Sequence, residues 1–98
     1  MTKKERTEML RVERSKLLRE INEALPEFRA TKISNIESRR IFIEGGIFPA
    51  SYDRDEKKLY IWGRSSRSSG GVMSVEELIK LENAFRLWDA ETVIEDAN

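Results

Sequence analysis

The sequence predicts a single α+β domain in which N- and C-terminal helices pack against an antiparallel three-stranded meander, in the order α-β-β-β-α. Three observations carry this prediction: helical periodicity at both ends, a glycine-centred hairpin in the middle, and a length of 98 residues. A chain of that length readily builds one hydrophobic core. We therefore treat residues 1–98 as one domain.

The first helix is predicted over about residues 2–25. Thr2 and Glu5 have the spacing of a capping box, and no Gly or Pro follows before Pro26. Its apolar residues share an arc of roughly 120°, the width of a core-facing stripe; they are Leu10, Leu17, Leu18, Ile21, Ala24 and Leu25. Leu10 is the only residue of this stripe before residue 17. The first half of the helix is therefore expected to project past the globule or to lie on its rim.

Three strands are predicted at about residues 39–44, 47–52 and 57–63. Gly45-Gly46 suits a two-residue hairpin loop, because both central positions of a type I′ turn need positive φ. Pro49 is expected to break the middle strand, since proline removes a ladder hydrogen bond. Residues 28–36 are a candidate for a further strand or an extended arm.

The register of the meander follows from its two turns, the second of which spans residues 53–56. Pairing Glu44 with Ile47, and Tyr52 with Lys57, places the apolar residues of all three strands on one face. That face comprises Ile41, Ile43, Phe48, Ala50, Leu59 and Ile61. The carboxylates of the second turn lack the spacing of a calcium loop, so we interpret this segment as a polar turn.

A loop rich in Arg, Ser and Gly is predicted over residues 63–72, followed by a helix over about residues 74–94. Ser74 and Glu77 form a second capping box, with Met73 placed to contact Leu78. The apolar residues of this helix span roughly 220° of arc, more than one core face needs, and Leu87 lies outside even that arc. Either protein covers both sides of the helix, or one side is a partner or homodimer surface.

The composition excludes much of enzyme chemistry. The chain has no Cys and no His, which removes Cys/His zinc sites, thiol nucleophiles and Ser-His triads. No apolar run approaches the ~18 residues of a membrane span, and Met1 is followed directly by polar sequence without an apolar leader. We therefore expect a cytoplasmic, non-enzymatic protein with no metal, no cofactor and no membrane partner.

The formal charge of zero conceals a gradient. Residues 1–40 carry 11 basic and 7 acidic side chains, whereas residues 74–98 carry 2 basic and 7 acidic side chains. On the first helix, Lys3, Lys4, Arg11 and Arg14 share one arc and the glutamates occupy the other side. This arc either binds an acidic partner or packs against the acidic last helix of the same chain.

One face of the predicted sheet alternates aromatic and basic residues. With the apolar face turned inward, the other face carries Arg40, Phe42, Lys58, Tyr60 and Trp62. Rings that stack on bases and cations that meet phosphates are the means by which proteins bind single-stranded nucleic acid. The alternative is that a helix covers this face as well, which would make these rings ordinary core.

The function expected from these features is binding to a larger macromolecule, most plainly a protein. The residues expected to contact that partner are Arg11, Arg14, Arg64, Arg67 and Leu87, of which Arg64 and Arg67 lie in a loop that also serves as a tether. By analogy, small regulators and inhibitors of phage and mobile elements have this character. The second hypothesis is single-stranded nucleic-acid binding through the aromatic and basic sheet face.

Overall fold

A computed structural model of the chain describes residues 2–45, 49–61 and 74–92. It confirms the α+β class and adds a fourth strand to the predicted three. The elements are helix α1 (Lys3–Ala24), a 3-10 turn (Pro26–Phe28), strands β1 (Lys32–Ser34), β2 (Arg40–Glu44), β3 (Ala50–Asp53) and β4 (Lys58–Ile61), and helix α2 (Val75–Glu91). The four strands form one antiparallel sheet in the order β1-β2-β3-β4.

Both helices begin at the predicted capping boxes. The Thr2 hydroxyl accepts from the Glu5 N–H at 3.1 Å, and the Ser74 hydroxyl accepts from the Glu77 N–H at 3.1 Å. Helix α1 ends just before Pro26, and α2 ends where Thr92 takes an extended conformation. The N-terminal half of α1 lies on the rim of the globule, because Leu10 is buried and Arg6 pairs with Glu37.

The predicted sheet register is wrong, although the predicted faces are right. Ile43 pairs with Ala50, two residues beyond its predicted partner Phe48, and Tyr52 pairs with Leu59 instead of Lys57. A displacement of two residues leaves the faces unchanged, because side chains alternate with a period of two. Strand β3 begins only after Pro49, which cannot donate to the ladder.

The turn between β3 and β4 lies one residue later in the chain than predicted, at residues 54–57, because Asp53 organises it. The Asp53 carboxylate accepts from the backbone N–H groups of Asp55 and Glu56, both at 3.0 Å. Lys57 then adopts a left-handed conformation with φ of 56°, and Lys58 pairs with Asp53. A carboxylate that binds successive backbone N–H groups is a recurrent way to close a turn.

The arm that leads into β1 is tied to α1 by a single side chain. Asn22 donates to the Ala30 carbonyl and accepts from the Ala30 N–H, both at 2.9 Å. Residues 32–34 then pair with β2, with Ile33 opposite Ile43. The fourth strand therefore occupies part of the segment expected to be an arm or a strand.

Both described helices pack on the same face of the sheet. The inward residues Ile41, Ile43 and Leu59 join Leu17, Ile21, Leu81, Phe85 and Trp88 in one buried cluster, to which none of the outward residues of β2 or β4 belongs. The alternative of a sheet enclosed between two helices is therefore wrong. The arrangement leaves the opposite face of the sheet without a covering helix in the described part of the chain.

Side chains of α2 also contact the backbone of edge strand β4. Glu82 accepts from the Leu59 N–H at 2.9 Å, and Arg86 donates to the Lys57 carbonyl at 3.0 Å. Arg54 extends the connection, since it pairs with Asp89 and donates to the Ile36 carbonyl at 3.0 Å. These contacts satisfy edge groups that would otherwise invite pairing with another strand.

Candidate interaction surfaces

The candidate residues fall on separate surfaces. Arg40, Phe42, Lys58 and Tyr60 lie together on the outer face of the sheet, as the alternation of the strands predicts. Leu87 lies on the solvent side of α2, whereas Arg14 lies on the side of α1 near β1. Trp62, Arg64 and Arg67 lie outside the described residues, as do Phe48 and Met73.

The excess apolar arc of α2 is a row of exposed side chains. Leu81, Phe85 and Trp88 are buried in the core, while Val75, Ile79 and Leu87 are 71%, 49% and 64% exposed. Together with exposed Asn83 these three residues are spaced four apart. Residues at this spacing form a ridge, the unit by which helices pack into the grooves of other helices. We call Val75, Ile79, Asn83 and Leu87 the α2 ridge.

A groove of about 570 Å³ lies beside the α2 ridge, between α1 and α2. Its lining includes two small residues, Ala24 from α1 and Ala84 from α2, and both Asn83 and Leu87 of the ridge. Small side chains where two helices meet leave room for an inserted side chain. We call this feature the interhelical groove.

The interhelical groove is predominantly acidic. Glu20 and Glu23 from α1 and Glu91 from α2 line it, with Lys80 as the cation among its lining residues. Glu91 is also 3.7 Å from the Lys16 ammonium group. Burial raises the pKa of Glu20, and the nearby carboxylate of Glu91 adds to the rise while Lys16 opposes it. The main cause of the shift is burial of the carboxylate, and a cation bound in the groove would offset that cost.

Replacing Glu20 by Gln tests this electrostatic description. A carboxyl group whose pKa is raised on folding favours the folded state below its unfolded pKa, and this contribution is lost as pH rises through the folded value. Glu20→Gln should therefore raise the free energy of unfolding near neutral pH, by about 0.3 kcal/mol for a partly screened charge. The gain should shrink near pH 4. Urea denaturation at both pH values measures it.

The matched control for this prediction is Glu23→Gln, because Glu23 is an exposed glutamate of the same helix and lines the same groove. At neutral pH, the free energy of unfolding of Glu23→Gln should differ less from that of the parent protein than the free energy of unfolding of Glu20→Gln does. A loss of stability in Glu20→Gln at neutral pH would contradict the described cost of burying the Glu20 carboxylate.

The basic arc of α1 does not meet α2. Arg11 pairs with Glu8 on its own helix, and Arg14 borders a cleft with Leu18 and the β1 residues Lys32 and Ile33. The side of α1 toward α2 instead carries Glu13, which accepts from the Trp88 indole N–H at 2.9 Å. Arg11 and Arg14 therefore remain candidates for an acidic partner on a surface apart from Leu87.

The outer face of the sheet forms two rows across the strands. Phe42 and Tyr60 flank Ser51 in one row, while Arg40 and Lys58 flank Asp53 in the next. The Arg40 guanidinium carbon is 4.9 Å from the Tyr60 ring centroid, and the Lys58 ammonium nitrogen is 5.6 Å from it. Two cations and two aromatic side chains thus lie close together on one face.

Asp53 holds Arg40 in this arrangement. The carboxylate is buried and accepts from Arg40 at 3.2 Å and from Arg39 at 3.1 Å, in addition to its turn contacts. The Glu56 N–H, joined by Arg39 and Arg40, holds the pKa of Asp53 well below its ordinary value. Asp53 therefore stays ionised and keeps the Arg40 side chain near Tyr60.

The comparisons supply no relative from which a role could be transferred. Models of protein families, curated proteins and solved structures were each compared with the chain, and none matches it. Across residues 2–45, 49–61 and 74–92, no group of three acidic side chains is placed to hold a metal ion. In the same residues, no helix is long and apolar enough to cross a membrane.

Sequence reasoning found Leu87 but missed the groove beside it. The i, i+4 spacing of Val75, Ile79 and Leu87 was available in the sequence as a signal. Ala24 and Glu20 belong to the opposite end of the chain, and nothing in their local pattern indicates that α2 lies against them. Only the packing of the two helices brings these residues to one surface.

Proposed function

We propose that this protein binds a partner protein through the α2 ridge and the interhelical groove, and that the bound element is a basic amphipathic helix. The observation that carries the proposal is the exposed ridge itself, three large apolar side chains at helical spacing beside an acidic groove. A non-enzymatic, regulatory role in the cytoplasm is part of this proposal.

A helix is the element that fits the ridge. Side chains spaced four apart insert between the corresponding rows of a second helix, and apolar anchors at such spacing are how helices bind in grooves. The small residues Ala24 and Ala84 would admit one apolar side chain of the partner next to Leu87. An exposed Leu in such a position suits the centre of an interface.

Charge favours a basic partner over a second copy of this chain. A symmetric dimer through α2 would bring the glutamates of one groove close to those of its copy, since a two-fold interface repeats one surface on both sides. A helix with Lys or Arg beside its apolar stripe would instead face Glu20, Glu23 and Glu91.

Calorimetric titration with a synthetic amphipathic helix of leucine and lysine tests the proposal. We expect binding that weakens about tenfold in Leu87→Ala, the loss typical of an interface anchor. Val12→Ala is the matched control, because Val12 is 54% exposed on α1 and lies outside the groove lining. It should leave the affinity unchanged.

Three results would overturn the proposal. The first is equal binding of a leucine and glutamate helix of the same length and pattern, which would remove the charge argument. The second is an equal loss of affinity for the synthetic helix in Val12→Ala and Leu87→Ala, which would indicate nonspecific adhesion. The third is a dimer in light scattering that Leu87→Glu dissociates, which would make a second copy the occupant of the ridge.

A further inference from the structure

We propose that the outer face of the sheet is a second binding site, and that its ligand is single-stranded nucleic acid. Bases would stack on Phe42 and Tyr60, while phosphates would contact Lys58 and Arg40. The site is separate from the α2 ridge, since both helices pack on the opposite face of the sheet. It therefore stands or falls independently of the proposed protein partner.

The register places the two rings in a suitable arrangement. Phe42 on β2 and Tyr60 on β4 are both direct neighbours of Ser51 on β3. Two strand spacings separate the positions of the rings, about 10 Å. Ser51 is small, so its own side chain does not separate the rings, and the surrounding atoms cover it fully. Both rings are partly exposed and available for stacking.

Two cations accompany the rings. Arg40 is held near Tyr60 by Asp53, with its side chain 42% exposed, and Lys58 is exposed on the neighbouring strand. Lys58 makes no ion pair within the described residues, so its ammonium group is available to a phosphate. An exposed cation–π contact is weaker than a base stacked on an aromatic ring, so a base can displace Lys58 from Tyr60 toward the ligand backbone.

The carboxylates of this face already have hydrogen-bonding partners. Glu56 accepts from the Tyr60 hydroxyl at 2.5 Å, and Glu44 accepts from the Ser34 hydroxyl. Asp53 is buried beneath Arg39 and Arg40. The cations nearest the rings are Arg40 and Lys58, while the exposed Glu56 lies at the hydroxyl end of Tyr60. The face therefore suits an anionic ligand whose flat, unstacked groups cover the rings and whose anionic groups approach Arg40 and Lys58.

Single strands fit these features better than duplexes. Aromatic side chains can stack only on bases that are unpaired and unstacked, and a duplex does not present such bases. Duplex binding also depends on many phosphate contacts, and this chain has no overall positive charge. Two cations near the rings imply that affinity depends modestly on salt. The logarithm of the association constant for a single strand should fall against the logarithm of the salt concentration with a slope of about −1.4.

Fluorescence anisotropy of a labelled oligothymidylate, at low and near-physiological salt, tests the inference. Phe42→Leu keeps most of the buried volume but removes the aromatic ring, and should weaken binding about tenfold. Lys58→Ala should weaken binding several-fold at low salt and reduce the salt slope by about 0.7. Thermal denaturation of each variant confirms that it is folded.

Two controls separate this site from the other surfaces. Lys4→Ala removes an exposed cation from α1 and should leave the affinity for oligothymidylate unchanged. Leu87→Ala should also leave the affinity for oligothymidylate unchanged, while it weakens helix binding about tenfold if the α2 ridge functions as proposed.

Four results would overturn the inference. They are no measurable binding at low salt, equal binding of a duplex of the same length, equally effective competition by polyglutamate, and an affinity in Phe42→Leu equal to that of the parent protein. The first removes the site. The second and third would indicate attraction by charge alone, and the fourth would remove the role of the ring.

Discussion

Trp88→Ala is expected to lower the free energy of unfolding by about 3–5 kcal/mol, the range for truncating a large buried aromatic residue. Trp88 is fully buried, and its indole N–H donates to the Glu13 carboxylate at 2.9 Å. The Arg54 guanidinium carbon lies 5.3 Å from its ring centroid. The truncation would therefore loosen α2 from α1 and from the turn after β3.

Chemical denaturation followed by circular dichroism at the helical band measures this loss. Small domains are typically stable by about 5–15 kcal/mol, so the variant could be partly unfolded without denaturant. Trp88→Phe keeps a ring but loses the indole N–H, and its free energy of unfolding should fall by about 1–2 kcal/mol, because the ring is smaller and Glu13 keeps only the Thr92 hydroxyl as a donor.

Leu87→Ala is the matched control for Trp88→Ala, because the two residues are neighbours on α2 and differ in burial. Leu87 is 64% exposed, and its truncation should change stability by less than about 0.5 kcal/mol. Equal losses at positions 87 and 88 would contradict the described orientation of α2. Retained stability in Leu87→Ala also allows its binding data to be interpreted as an interface effect.

Gly45→Ala is expected to lower the free energy of unfolding by about 2–3 kcal/mol. Gly45 has φ of +80°, a conformation that residues with a Cβ rarely adopt. A Cβ at this position would also lie 1.7 Å from the Thr31 hydroxyl oxygen and 2.7 Å from the Thr31 Cβ. Both the backbone conformation and the close approach of Thr31 therefore require glycine.

A double-mutant cycle separates these two causes. Thr31→Ala removes the hydroxyl and methyl groups that an added Cβ would meet, and should itself have a small effect because Thr31 is exposed. Gly45→Ala should be less damaging in the Thr31→Ala background, with positive coupling in thermal or chemical denaturation. Purely additive losses would assign the effect to the backbone conformation and to the Cβ at position 31, which alanine retains.

Much of the fold could be predicted because its signals are local. The capping boxes at Thr2 and Ser74 predict where both helices begin, since the groups that pair are only three residues apart. The alternation in β2 and β4 predicts which residues turn inward, and this prediction survives an error of two residues in register. The turn glycine at position 45 was likewise predictable from its need for positive φ.

The missed features depend on contacts between distant segments. The register depends on how Asp53 closes the second turn, and β1 depends on Asn22 holding Ala30. Short strands such as β1 carry too few residues for a clear pattern, and their pairing partner determines whether they form.

The element types, the buried faces and the surplus of apolar surface on the last helix can be predicted from sequence, because each follows from periodicities of two or 3.6 residues. The placement of both helices on one side of the sheet is visible only in the folded chain. This arrangement buries Trp88 against Glu13, exposes the ridge that ends in Leu87, and leaves Phe42 and Tyr60 on the face that no described helix covers. An amphipathic pattern specifies that a face must be covered, whereas the covering element is selected by side-chain packing across the whole chain.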